Sequence, residues 1–172
     1  MYIFKPTIYK KNIYEINYEA LKKLGIKCLV FDLDNTLGLI TDKQVPDKTK
    51  KLIEALKKDF LILIISNNNR KRISVYLDEL DIDGITNSMK PFTRGLKKIA
   101  CKYKLSKNKM AIIGDQMFTD IQAGNRYGIM TILVDPLGEK DLKITAFNRW
   151  YETKVINKYQ KLGIFERGRY YE

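Results

Sequence analysis

The chain of 172 residues contains no histidine. That absence removes Ser-His and Cys-His triads, histidine metal centres and imidazole acid–base chemistry. Proton transfer near neutral pH is left to carboxylates, lysine, tyrosine or cysteine. Only two cysteines are present, Cys28 and Cys101, too few for a thiolate metal site. Each falls within an apolar stretch, so a buried, reduced thiol is expected for both. No apolar run approaches the ~20 residues that span a bilayer. The start, Met1-Tyr2-Ile3-Phe4-Lys5-Pro6, lacks a signal-peptide pattern, and a cytoplasmic location is expected. Acidic residues are missing from one long region: between Asp83 and Asp115 there are eight Lys or Arg and no Asp or Glu.

What is present describes a folded, basic protein. Hydrophobic residues make up 45% and aromatics 11%, enough for a full core in a single domain spanning 1–172. The formal charge of +12 points to a polyanionic partner: nucleic acid, anionic lipid or phosphorylated material.

Short apolar runs bounded by turn residues alternate with stretches of helical periodicity. Strands are predicted at about 27–32, 61–65, 85–86, 109–113 and 129–134. Helices are predicted at 18–24, 48–58, around Ile73 to Leu80, from Pro91 to Tyr103, over 119–127 and at about 143–160. Residues 37–46 read as a loop or small flap. This alternation means a mainly parallel α/β sheet of about five strands with crossover helices. Right-handed crossovers bring every strand-end turn to one edge of the sheet, so Asp32, Ser66 and Asp115 converge there.

The stretch Val30-Phe31-Asp32-Leu33-Asp34-Asn35-Thr36-Leu37 dominates that edge. An apolar strand ends in two aspartates one residue apart, which start out on the same side. Two carboxylates pointing one way repel, and a hard divalent cation such as Mg²⁺ relieves the repulsion.

Four turns, in order, resemble the motifs of the haloacid-dehalogenase (HAD) superfamily of phosphotransferases. They are Asp32-x-Asp34-x-Thr36, Ser66-Asn67, Lys90-Pro91 and Gly114-Asp115-Gln116-Met117-Phe118-Thr119-Asp120. The resemblance implies a HAD-like Rossmannoid three-layer sandwich and an Mg²⁺-dependent phosphatase. Asp32 would be the nucleophile, and Asp34 the general acid and then base. The metal would be held by Asp32, Asp115 and the carbonyl of Asp34. Ser66, Asn67 and Lys90 would bind phosphate, with Thr36 and Asp120 in support. The intervals Asp34–Ser66 and Ser66–Lys90 leave no room for a cap domain, which suits a large substrate offered from a surface.

Further stretches narrow the resemblance: Ser66-Asn67-Asn68-Asn69, Gly124-Asn125-Arg126-x-Gly128 and Thr145-Ala146-Phe147-Asn148-Arg149 are similar to those of YqeG-type capless HAD phosphatases. That group is similar to the mitochondrial phosphatidylglycerophosphate phosphatases, which implies dephosphorylation of phosphatidylglycerophosphate, an anionic phospholipid, to phosphatidylglycerol. The basic, aromatic character of the chain adds the expectation of peripheral contact with the inner face of the membrane. Gly38 departs from the pattern, where a bulkier residue is expected. The Ile, Tyr and Lys residues of 1–26 and the helix carrying Arg149 and Trp150 either dock on anionic lipid or cover the sheet. Nucleic-acid ends, a phosphoprotein or simple nucleic-acid binding are the rival readings of the charge.

Overall fold

A computed structural model describes residues 2–138 and 143–172, with backbone only at Arg70 and at 143–150. The strands with the most continuous apolar runs form the middle of the sheet: β2 (Cys28–Phe31), β3 (Leu61–Ile65), β5 (Met110–Gly114) and β6 (Met130–Val134). They read that way because helices cover both faces of a parallel sheet. Two three-residue strands, β1 (Ile8–Lys10) and β4 (Asp83–Ile85), close the edges. The order is β1-β6-β5-β2-β3-β4, with every neighbouring pair parallel.

The sheet therefore has six strands where five were expected. The sixth, Ile8–Lys10, pairs with a strand more than a hundred residues away, Ile8 opposite Ile132. Threonine hydroxyls of Thr7 and Thr131 meet at the start of that pairing, 3.2 Å apart. Three residues behind Pro6 carry too short a pattern to announce a strand; its long-range partner makes it one.

Side-chain alternation sorts the core into two layers. Leu29, Phe31, Ile62, Ile64, Ala111 and Ile113 face α1 (Tyr18–Lys23), α2 (Asp47–Leu56) and α3 (Arg70–Leu80). Cys28, Val30, Leu63, Ile65 and Ile112 face α4 (Arg94–Lys102) and α5 (Gln122–Tyr127). On that second face, Tyr9 and Leu133 pack with Tyr159 of α6 (Lys143–Lys161) and with Phe165 of the tail. The tail then turns back, and Tyr171 forms an antiparallel bridge with Tyr9, with N–H to O distances of 2.9 Å in both directions. This is the three-layer α/β arrangement expected.

The apolar residues of the first 26 positions lie mostly inside: Ile8, Tyr9, Ile13, Ile16 and Leu21 are all buried. Their packing favours covering the sheet over reaching lipid. Arg149 and Trp150, the other half of that idea, lie outside the described side chains. Among the described residues no helix is long and apolar enough to cross a membrane.

The cysteines separate. Cys28 is buried in β2, and burial pushes its thiol up to about 12. Cys101, expected to be buried, is exposed on α4. Leu96, Ile99 and Ala100 set the buried face of that helix, and position 101 falls out of phase with them. A native-state thiol titration with Ellman's reagent at pH 8 should therefore find one fast-reacting cysteine, removed by Cys101→Ser, and a second only on denaturation.

Candidate active site

From β2 the sheet continues to β3 and β4 on one side, and the chain then crosses to β5 on the other. The loops after β2 and β5 consequently lead apart, leaving a crevice at the carboxyl ends of the strands. Asp32 and Asp115 are the first residues beyond those two strands.

The turn after β2 is tightly determined. The Asp32 N–H still bonds Ile113 O at 2.8 Å, the Leu37 N–H reaches Leu33 O at 3.0 Å, and the Asn35 N–H reaches Gly38 O at 2.8 Å. Asn35 sits in the left-handed region at φ 61, which asparagine tolerates better than most residues. The Thr36 hydroxyl points to Asp115 Oδ1 at 3.5 Å. Gly38 now has its explanation: a Cβ there would fall on the Tyr76 hydroxyl, so the flap can close onto α3 only through a glycine. The flap is also held from below, where the Thr49 hydroxyl donates to Leu37 O at 2.8 Å and contacts the Tyr14 hydroxyl at 2.9 Å.

Lys90 is the centre of the site. Its ammonium is buried and donates to Asp32 Oδ1 at 2.5 Å, Asp120 Oδ1 at 2.6 Å and Ile65 O at 3.0 Å. Asn67 holds the loop that delivers it: Oδ1 accepts from the Lys90 N–H at 2.7 Å and the Ser88 hydroxyl at 2.9 Å, and Nδ2 donates to Lys90 O at 3.0 Å. The Asn67 amide expected to bind phosphate is thus engaged with the Lys90 loop. The Ser66 hydroxyl accepts from the Asn68 N–H at 3.1 Å, which leaves its own proton to donate.

Asp120 reaches Lys90 because of a π-helical turn at Met117–Ile121, a distortion that often accompanies functional sites. The turn folds Asp120 back so that its Oδ2 accepts from the Gln116 N–H at 3.2 Å. Any side chain on Gly114 would overlap the Asp120 carboxyl, so the glycine before Asp115 is a packing requirement.

Asp32, Asp115 and Asp120 are buried, and each offers an oxygen within 4.8 Å of the others. Three carboxylates meet one ammonium in this space, and burial of unbalanced negative charge is costly. Burial pushes Asp32 up to about 7 even though Lys90 pulls it down; Asp120 and Asp34 add to the rise. Burial works against the charge on Lys90, but Asp120 and Asp32 outweigh it and hold the lysine above its ordinary value. A divalent cation among these oxygens supplies the missing positive charge, so the donor set fits a hard metal.

The Asp34 carboxylate stands apart from this cluster. It accepts from Arg72 Nε at 3.0 Å and from the Asn68 side-chain amide. Arg72 also donates to Leu39 O at 2.7 Å and Asp42 O at 2.5 Å, tying Asp34 to the flap. Arg72 is not among the residues that the sequence singles out. A signal was there: Arg70, Lys71 and Arg72 open α3, the end where the helix dipole disfavours cations.

The family described as mitochondrial PGP phosphatase matches residues 2–138. The chain belongs to this PGP phosphatase family. "Probable phosphatase YqeG" of Bacillus subtilis (strain 168) is 35% identical over 164 residues, covering 93% of this chain and 94% of that protein. "Phosphatidylglycerophosphate phosphatase 1, chloroplastic/mitochondrial" of Arabidopsis thaliana is 26% identical over 165 residues. That match covers 84% of this chain but only 47% of the plant protein. Among solved structures, a putative HAD family hydrolase from Streptomyces avermitilis MA-4680 superposes with a TM-score of 0.50 at 16% identity, covering 67% of this chain and 85% of that one. The PGP phosphatase fold here is HAD-like, and the chain is a phosphomonoesterase of this family. Among the described residues there is no cap domain: the interval 34–66 holds the flap, α2 and β3, and 66–90 holds α3 and β4.

Gly38→Ala should destabilise the protein by about 1–3 kcal/mol through overpacking against Tyr76. Tyr76→Phe in the same chain should recover part of that loss, since Tyr76 Cζ remains 3.1 Å from the added Cβ. A double-mutant cycle in urea denaturation measures the coupling, and additive effects would exclude the contact.

Proposed function

We propose that the chain removes the phosphate of phosphatidylglycerophosphate, yielding phosphatidylglycerol and inorganic phosphate, through an aspartyl-phosphate on Asp32. The observation that carries this reading is the buried meeting of Asp32, Asp115, Asp120 and Lys90 in an uncapped crevice. The name of the plant relative and the description of the family support the choice of substrate.

An Asp32 carboxylate oxygen attacks phosphorus, the bond from phosphorus to the ester oxygen breaks, and Asp34 gives that oxygen a proton. A water then attacks the same phosphorus, Asp34 takes its proton, and the acyl phosphate bond breaks to release phosphate and restore Asp32. The Lys90 ammonium and the Ser66 hydroxyl balance and orient the phosphoryl oxygens. Asn67 sets the position of Lys90, and Asp120 fixes its direction. Arg72 and Asn68 hold one orientation of Asp34. Asp32, Asp115 and the carbonyl of Asp34 would hold Mg²⁺. When bound, that ion supplies the positive charge that lets two anions approach.

A substrate panel tests the reading: phosphatidylglycerophosphate, a phosphopeptide, 3′-phosphate DNA and sugar phosphates, scored by phosphate release. The lipid should be turned over fastest. Asp32→Asn should reduce release to background while the circular dichroism spectrum stays native. Chelation with EDTA should abolish activity and added Mg²⁺ restore it. Because Asp32 is raised to about 7, protons compete with the metal below that value. Calorimetric Mg²⁺ affinity should therefore rise between pH 6 and pH 8; a flat profile would contradict the raised carboxyl.

A further inference from the structure

The loop that delivers Lys90 has an outer side that the chemistry leaves unused. Lys90 is 6% exposed, yet Met89 and Phe92 beside it are 58% and 62% exposed. The backbone holds Met89 at φ 56, in the left-handed region that a methionine seldom adopts. Around it, the Ser88 N–H bonds Ser66 O at 3.1 Å, Asn67 grips Lys90 on both sides, and the Phe92 N–H bonds Met89 O at 2.9 Å. This is a braced turn that drives one side chain into the crevice and presents two large apolar ones to the outside.

Across the mouth, Leu39 of the flap is 37% exposed and Leu137 is 39% exposed. They are neighbours of the β2 turn: the Leu137 N–H bonds Asn35 O at 2.9 Å, and Leu39 Cδ2 lies 2.7 Å from where a Cβ on Gly138 would sit. Four of the nine large apolar residues exposed among those described therefore lie on loops that follow strands, at the edge that holds the crevice. Single exposed apolar residues are ordinary; a set around a catalytic mouth is not.

Charge selects the occupant. Behind Phe92, the first two turns of α4 expose Arg94, Lys97 and Lys98, and no acid occurs between Asp83 and Asp115. An apolar tip backed by cations matches the interface of an anionic bilayer, where side chains enter the acyl boundary and the cations meet the headgroups.

We propose that this rim, led by Phe92 and Met89 with Leu39 and Leu137 opposite, is a membrane-docking surface. It seats the crevice against an anionic leaflet, so that a phosphate standing above the lipid plane enters without the lipid leaving the bilayer. The surface is distinct from the N-terminal segment and α6. The inference rests on the lipid reading of the substrate, and its test is read separately from that reading.

The full-length chain is sedimented with phosphatidylglycerol vesicles and with phosphatidylcholine vesicles at low salt, with Phe92→Glu, Met89→Glu and the control Leu162→Glu alongside. Wild type and Leu162→Glu should bind the anionic vesicles and release them as salt rises; the two rim variants should bind at least about tenfold more weakly. Turnover of phosphatidylglycerophosphate in vesicles should fall in parallel, while hydrolysis of p-nitrophenyl phosphate and of the lipid in detergent micelles stays unchanged. Wild type that fails to bind, or rim variants that bind as wild type does, overturns the docking surface whatever the substrate. Micellar lipid left intact by an enzyme that cleaves p-nitrophenyl phosphate overturns the substrate reading alone, and vesicle binding still decides the rim. Should Phe92→Glu only convert a dimer to a monomer in sedimentation velocity, leaving vesicle binding intact, the rim covers a second copy and the proposal fails.

Discussion

A lysine ammonium buried between two carboxylates organises this protein. The Lys90 contacts to Asp32 and Asp120 have side chains at most 10% exposed, so the charges are worth more to one another than a surface pair would be. Breaking such a pair typically costs about 3–5 kcal/mol, because the remaining charge is stranded. The fold answers this demand from several directions. Asn67 fixes the loop before Lys90, the π-helical turn folds Asp120 inward, and Gly114 keeps clear of it. The same arrangement suits the proposed chemistry, since a site dense with fixed charge needs little rearrangement when a phosphate arrives.

Asp34 belongs to a second, looser network. Its partners, Arg72 and Asn68, come from α3 and from the turn before it, and Arg72 reaches on to two flap carbonyls. In the proposed mechanism the nucleophile, Asp32, is thus set by the core, while the proton carrier, Asp34, is set by the segment that borders the solvent. That division suits a site which must be rigid where phosphorus is attacked and adjustable where leaving groups differ.

Much of this was legible before any coordinates. Asp32, Ser66, Lys90 and Asp115 declare themselves because each follows or heads a segment whose apolar pattern places it at one edge of a parallel sheet. Arg72 was hidden because its partners are the Asp34 carboxylate and two backbone carbonyls of the flap, which no periodicity reveals. Strand β1 was hidden because three residues acquire their conformation from Thr131 and its neighbours, far along the chain. Cys101 was misread for a different reason: its neighbourhood is apolar, but the helical phase set by Leu96 and Ile99 turns it outward. Asn67 shows the remaining limit, since an amide after a strand can meet a ligand or a loop, and only geometry chooses.

The bridge between Tyr9 and Tyr171 has a consequence for biosynthesis. Strand β1 has its outer hydrogen-bonding side closed by Tyr171, a residue synthesised long after it. Until Tyr171 has been made that side stays open, and an unpaired strand margin is where other chains add on and aggregate. Its shortness, three residues with Pro6 just ahead, limits the hazard until the tail arrives. Fusions that pull residues 164–172 away from β1 would prolong the exposure, so an appended partner sits more safely on a spacer long enough to leave that clasp slack.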